Sequence, residues 1–416
     1  MRRANETRHS TGTRYCPALH TRDLESAMAI PVPPVPHARV IFVGVGQGDC
    51  TLIVFPDPPH GTGEVVLIDC GSTKGAKCLI PGPPERVVDA LTNVKHLLTT
   101  YVPKKTIDYL FITHADEDHY NLLVRALDGF TVKDSYFTGV LEDYKNGRDS
   151  FGAVKADATY AWLKAKGAKP LANSLAFSGP AAGGGASTPW QYGRPVVPLG
   201  GDDGLYVVAA NASGSYATRH AKWQQVLAAS TDPHEKVRLQ KELGRYDPNP
   251  DSAVLALVYK KAVMMLMGDA TVLTEEFILG AWAPQLPSAN ITLKMGHHGS
   301  DTSSREKWVR LLKPQRLTVS SGTKAFNGSG IPKISHLEQV KLWSGAVQPA
   351  DSHEYTYFDD RPAYKSFVPD FTDQSIFTSQ LMVNPLWTDT MPDDERFICG
   401  TWHLTLDAAG NVLIDY

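Results

Sequence analysis

Short uninterrupted apolar runs set the strongest limit on what this chain can fold into. They fall at residues 40–45, 52–55, 65–68, 109–112, 205–209, 254–259, 263–267, 291–295 and 317–320. Runs of this length without polar alternation read as strands buried on both faces. Helical patterns lie between several of them, at 85–98, 120–127, 156–166, 271–279 and 305–312. Alternation of this kind predicts an α/β fold with helices covering two sheet faces. Two further alternating runs flank a turn at Gly410, so residues 400–414 should close as a hairpin.

Lys+Arg 41 against Asp+Glu 44 leaves a net charge of −3. The near balance excludes a polycationic nucleic-acid binder, so any such binding must come from a local patch. Hydrophobic residues at 42% and charged ones at 20% exclude a disordered chain or a coiled coil. The longest apolar stretch, 253–267, is broken by Lys260 and Lys261, so neither a transmembrane helix nor membrane insertion is expected. No apolar stretch follows Met1-Arg2-Arg3, which argues against a secretory or twin-arginine signal and for a cytoplasmic location.

The five cysteines, Cys16, Cys50, Cys70, Cys78 and Cys399, show no regular spacing. Neither a disulfide framework nor a zinc ribbon is suggested, and Cys50 and Cys70 read as small buried apolar residues. Residues 1–37 are polar and then proline-rich, a flexible leader. Residues 38–416 read as one domain with an insertion at about 140–245, which contains the Gly/Ala-rich run 180–186 and a charged helical stretch interrupted near Pro233.

The sharpest chemical signal is Thr113-His114-Ala115-Asp116-Glu117-Asp118-His119, directly after the expected strand 109–112. Imidazoles and carboxylates crowded into a tight loop can face two cations side by side, and the mixture suits Zn²⁺, Mn²⁺ or Fe. A helix N-terminus attracts acids through its dipole. That accounts for one carboxylate and neither histidine. Farther on, 263–267 runs into Gly268-Asp269, and 291–295 runs into Gly296-His297-His298-Gly299-Ser300. Loops at one end of an open α/β sheet gather in space, so these three strand ends can share one site.

Together with Val45-Gly46-Gln47-Gly48-Asp49 and Ile68-Asp69-Cys70-Gly71, these motifs give the chain its resemblance to the metallo-β-lactamase fold. The subgroup it is similar to is that of the hydrolase domain of the competence protein ComEC. The resemblance implies an αββα four-layer sandwich with insertions and a dinuclear metal site at one sheet edge. It implies that His114 and Asp116 bind one metal, that Asp118 and His119 bind the second, that Asp269 bridges them and that His297 completes the second, with His298 as its alternative. Asp116 stands where familiar members of the superfamily carry a histidine. Before the Gly-Asp turn the superfamily usually supplies another histidine; here the segment is Asp247-Pro248-Asn249-Pro250-Asp251-Ser252, leaving Asp251, Asn249 or no residue as the middle ligand.

Asp49, Asp69 and Asp251 are expected to orient the ligands by hydrogen bonds. Asp118, His298 and His336 are candidate catalytic groups, His298 as a proton donor and His336 as a substrate contact. The resemblance implies a hydrolase with two divalent metal ions, zinc or manganese, that uses metal-activated hydroxide on a phosphodiester, nucleic acid foremost. Other readings are a small phosphodiester or a lactone as substrate, or a noncatalytic metal-binding module. Lys104, Lys105, Lys260, Lys261 and Lys294 are candidate phosphate contacts. Protein partners are not legible.

Overall fold

The computed structural model describes residues 37–73, 76–145, 158–171, 195–201, 203–229, 232–244, 246–282, 290–320, 331–332, 334–345, 355–358, 364–367, 376–378, 381–383, 390 and 397–415. Two large sheets are present. In spatial order the first runs Val412–Asp415, Trp402–Leu406, Ala38–Phe42, Thr51–Val54, Val65–Ile68, Thr106–Ile112, Thr131–Phe137 and Lys169–Pro170. The second runs Ile376–Thr378, Arg316–Val319, Asn290–Lys294, Ala262–Leu266, Val254–Tyr259, Asp203–Ala209 and Val197–Gly200. Each is part antiparallel and part parallel, the change falling at Val65–Ile68 against Thr106–Ile112 in the first and at Ala262–Leu266 against Asn290–Lys294 in the second.

The two-residue period of a strand sends successive side chains to opposite faces, and here both faces are buried. Val40, Phe42, Ile53, Val66 and Ile68 of the first sheet share a core with Leu205, Val207, Leu255, Leu257, Met264 and Leu266 of the second. Their neighbours Ile41, Leu52, Val65 and Leu67 belong to an outer layer with the helix Ala90–Tyr101. Val254, Ala256, Val263 and Met265 pack outward with Trp308, Val309, Leu337 and Val340 of the helices Glu306–Leu312 and Ile334–Ser344. The result is an αββα sandwich, as the resemblance implies.

Local readings need correction in places. The expected helix 85–98 begins as the strand Arg86–Asp89, because Val87 and Val88 pair with Lys77–Ile80 and Asp89 then caps the helix by accepting the Thr92 amide at 2.8 Å. The expected helix 120–127 is two short pieces, Glu117–Tyr120 and Leu123–Ala126. Within 140–245 the strands Val197–Gly200 and Asp203–Ala209 belong to the second sheet. The helices Tyr216–Ala228 and Pro233–Leu243 form a hairpin with its own small core of Trp223, Val226, Leu239 and Leu243. Residues 1–36 of the expected leader and the Gly/Ala-rich run lie outside the described residues. Trp402–Leu406 and Val412–Asp415 form the expected hairpin.

Leu257 is fully buried between the sheets. Leu257→Ala should lower unfolding stability by about 2–5 kcal/mol in denaturant titration, and a loss near zero would show that the sheets close over the gap.

Candidate metal centre

Parallel strands of both sheets end at the same edge. Thr106–Ile112 leads into Thr113 and His114, Ala262–Leu266 into Gly268 and Asp269, and Asn290–Lys294 into His297 and His298. The loop 114–119 rests on the backbone of the two glycine motifs: Asp49 N donates to Asp118 O at 3.1 Å and Cys70 N to His119 O at 2.8 Å. A Cβ on Gly71 would lie 2.2 Å from the Asp118 carbonyl carbon and 2.4 Å from His119 N. Only glycine lets the loop sit this low.

Asp269 lies at the middle. Its Oδ1 is 3.2 Å from His119 Nε2, and its Oδ2 is 3.3 Å from His298 Nε2 and 3.8 Å from His114 Nε2. His298 Nε2 is also 3.5 Å from Asp118 Oδ2, and His114 Nε2 is 3.7 Å from Asp116 Oδ2. His114, His119 and Asp269 form one group, and Asp118, His119 and His298 another; ligand atoms within each lie within 4.8 Å of one another.

Each imidazole is held from behind. His119 Nδ1 donates to Asp69 Oδ2 at 2.9 Å, and His298 Nδ1 donates to the Ser320 carbonyl at 3.0 Å. Thr113 Oγ1 is 3.1 Å from His114 Nδ1, and Thr113 also donates N–H and O–H to the two oxygens of Asp69 at 2.7 Å each. With Nδ1 carrying the proton, Nε2 is left as a lone pair aimed at the centre. The Nε2 atoms of His114, His119 and His298 and Oδ1 of Asp269 are buried and make no hydrogen bond. Buried polar atoms without partners are costly. A donor set of imidazole nitrogens and carboxylate oxygens at such spacing fits a divalent cation.

Electrostatics agree. Burial disfavours charge on His298, yet Asp269 and Asp118 lift its pKa to about 10. Burial likewise opposes a charge on His119, but Asp269 and Asp69 hold it well above the usual imidazole range. Burial pushes Asp269 up, and His298 and His119 overcome this and bring it well below the carboxylate range. The carboxylates demand positive charge, as protons or as metal.

The structure exchanges the two adjacent histidines. His298, not His297, faces Asp118 and Asp269; His297 turns away, with Nδ1 2.7 Å from Thr302 Oγ1 and Nε2 3.3 Å from Asn249 Nδ2. Strand-like alternation does not apply past Gly296, since His297, His298 and Gly299 all have positive φ, at 46°, 52° and 75°. That left-handed turn swings the second imidazole inward. Glu275 fixes the chain that follows by accepting the amides of Ser304 and Arg305, its carboxyl pushed up to about 7 by burial.

Asp251 is not at the centre. Its carboxylate accepts Ser213 N, Ser215 Oγ and Arg219 Nη1 at 2.9, 2.9 and 3.3 Å, anchoring the helical hairpin beside the site. Asn249 stands next to His297, and Ser252 Oγ accepts the Asp269 amide at 3.2 Å. His336 is buried on the helix Ile334–Ser344 with its ring centroid 6.2 Å from that of Trp343, and is outside both groups. Lys294 is buried in an ion pair with Asp49 across the two sheets. Lys104 and Lys105 precede Thr106–Ile112, and Lys260 and Lys261 precede Ala262–Leu266, so all four stand at the strand ends opposite the site. Sequence reading overlooked Thr113 and the Ser320 carbonyl; Thr113 could have been suspected from its place at the strand end, whereas a backbone carbonyl leaves no trace in a sequence.

Residues 43–206 match the family model of the metallo-beta-lactamase superfamily. Over 76 residues, 18% of this chain, it is 36% identical to the competence protein ComA of Neisseria gonorrhoeae, a match spanning 11% of that protein. Over these segments the chain is similar to the metallo-β-lactamase superfamily, whose members are generally metal-dependent hydrolases.

Asp69→Asn would place an amide donor against Thr113 or His119, and metal affinity in a chelator competition should fall about 10- to 100-fold; an unchanged affinity would remove Asp69 from the support of His119. The raised pKa of His298 stabilises the metal-free fold fully below about 6.5, and that contribution is lost as pH rises toward about 10. Thermal unfolding of chelator-treated protein should therefore show a falling Tm across this window, and a flat profile would contradict the charge assigned to the imidazole.

Proposed function

We propose that the chain is a metal-dependent phosphodiesterase whose site holds two divalent cations, zinc or manganese. In this reading His114, Asp116 and Asp269 hold one ion and Asp118, His119, His298 and Asp269 the other. The observation that carries it is the convergence of three unpartnered imidazole nitrogens on Asp269. Two such cations, when bound, lower the pKa of water to about 7 and neutralise charge developing on both oxygens of a displacement at phosphorus.

The protein's own groups do the rest. Asp69 and Ser320 fix which imidazole nitrogen points inward, and Asp269 holds a negative charge at the centre. In this reading His297, beside the metal ligands without being one and with its pKa lowered by burial, contacts substrate. The full donor set argues against a noncatalytic module.

The resemblance to ComEC-like domains supports nucleic acid as substrate. The position of Lys104, Lys105, Lys260 and Lys261 away from the site, and the pairing of Lys294 with Asp49, favour a small phosphodiester as the second reading. Purified protein with added Mn²⁺ or Zn²⁺ should be assayed on single- and double-stranded DNA, RNA, bis-p-nitrophenyl phosphate and a lactone. Cleavage of polymer with steep salt inhibition supports the first reading, salt-insensitive cleavage of only the small diester the second, and turnover of the lactone alone refutes both.

His298→Ala should lose bound metal and activity together, whereas His297→Ala should keep its metal and lose turnover. Metal analysis of the two variants checks this, and the opposite pattern would return His297 to the ligand set.

A further inference from the structure

Cys78 and Cys399 stand near opposite ends of the described chain, yet the strands Lys77–Ile80 and Phe397–Cys399 pair in parallel with these two residues as direct partners. Adjacent strands lie about 4.7–4.9 Å apart, inside the Cα separation of about 4.4–6.8 Å that a disulfide spans. Both side chains are fully buried in the layer outside the first sheet, and the neighbouring Cys399 thiol, with burial, pushes the Cys78 thiol well up. Cys70 likewise, with burial, pushes the Cys50 thiol well up. They are not direct partners, because the register joins Thr51 to Ile68. Their backbones are also fixed, Cys50 O by Val43 N, Cys70 N by His119 O and Cys70 O by Leu122 N.

We propose that Cys78 and Cys399 are a disulfide-forming pair that locks the C-terminal part of the fold onto its N-terminal half. The oxidant is a disulfide such as oxidised glutathione. One cysteine, as thiolate, attacks it and releases one glutathione thiol; the other then loses its proton and displaces the second. Two protein thiols are oxidised to one disulfide, and the glutathione disulfide is reduced to two thiols. Among the described residues the two strands meet at this one register position, so only a short stretch need separate locally for the sulfurs to be reached. Closing so long a loop restricts the unfolded chain strongly.

The test uses the full chain, reduced and then incubated with oxidised glutathione. Digestion without reductant should yield a peptide joining Cys78 to Cys399, lighter by two hydrogens than its parts. Tm should rise on the order of 5 °C and return on reduction, and Cys399→Ala should lack the rise. The wild-type peptide map decides alone, whatever the variant's folding. Recovery of both cysteines as free alkylatable thiols, or joined to Cys50, Cys70 or Cys16 instead, would overturn the proposal.

Discussion

A single carboxylate, Asp269, faces three imidazoles, all four groups buried. Such a gathering is unfavourable unless charge is balanced, and much of the surrounding chain maintains it. Asp69 and Thr113 hold His119, the Ser320 carbonyl holds His298, and Ser252 receives the Asp269 amide. These supports come from strand ends of both sheets. The sandwich therefore acts as a rigid frame whose dimensions fix the separation of the donor atoms.

Much of this was legible in the sequence because physical requirements leave local marks. Continuous apolar runs such as 254–259 mark strands buried twice, and Gly71 marks a place where another backbone passes too closely for any Cβ. The cluster His114 to His119 is legible because no folding requirement asks for two histidines and three acids in one short loop. The same runs, with the helical patterns between them, mark an α/β fold, and the αββα layering is what the family resemblance implied.

What escaped the sequence depended on three-dimensional context. The choice between His297 and His298 turns on a left-handed stretch of backbone, and nothing in Gly-His-His-Gly-Ser distinguishes it from an extended one. Arg86–Asp89 carries a helix-compatible pattern and becomes a strand because a partner, Lys77–Ile80, is available. Asp251 looked like a ligand by position, and its carboxylate was instead taken by Arg219 and two serines from the hairpin segment. Lys294 looked like a phosphate contact until the opposite sheet supplied Asp49.

The strand Ala38–Phe42 pairs on one side with Thr51–Val54 and on the other with Trp402–Leu406. During synthesis its first neighbour emerges almost at once and its second only after some 360 further residues. Until then that flank presents unpaired amides and carbonyls, the template for illicit strand addition by another chain. A nascent polypeptide of this topology spends most of its time on the ribosome with an open seam, which makes chaperone attendance and translation speed part of its folding problem.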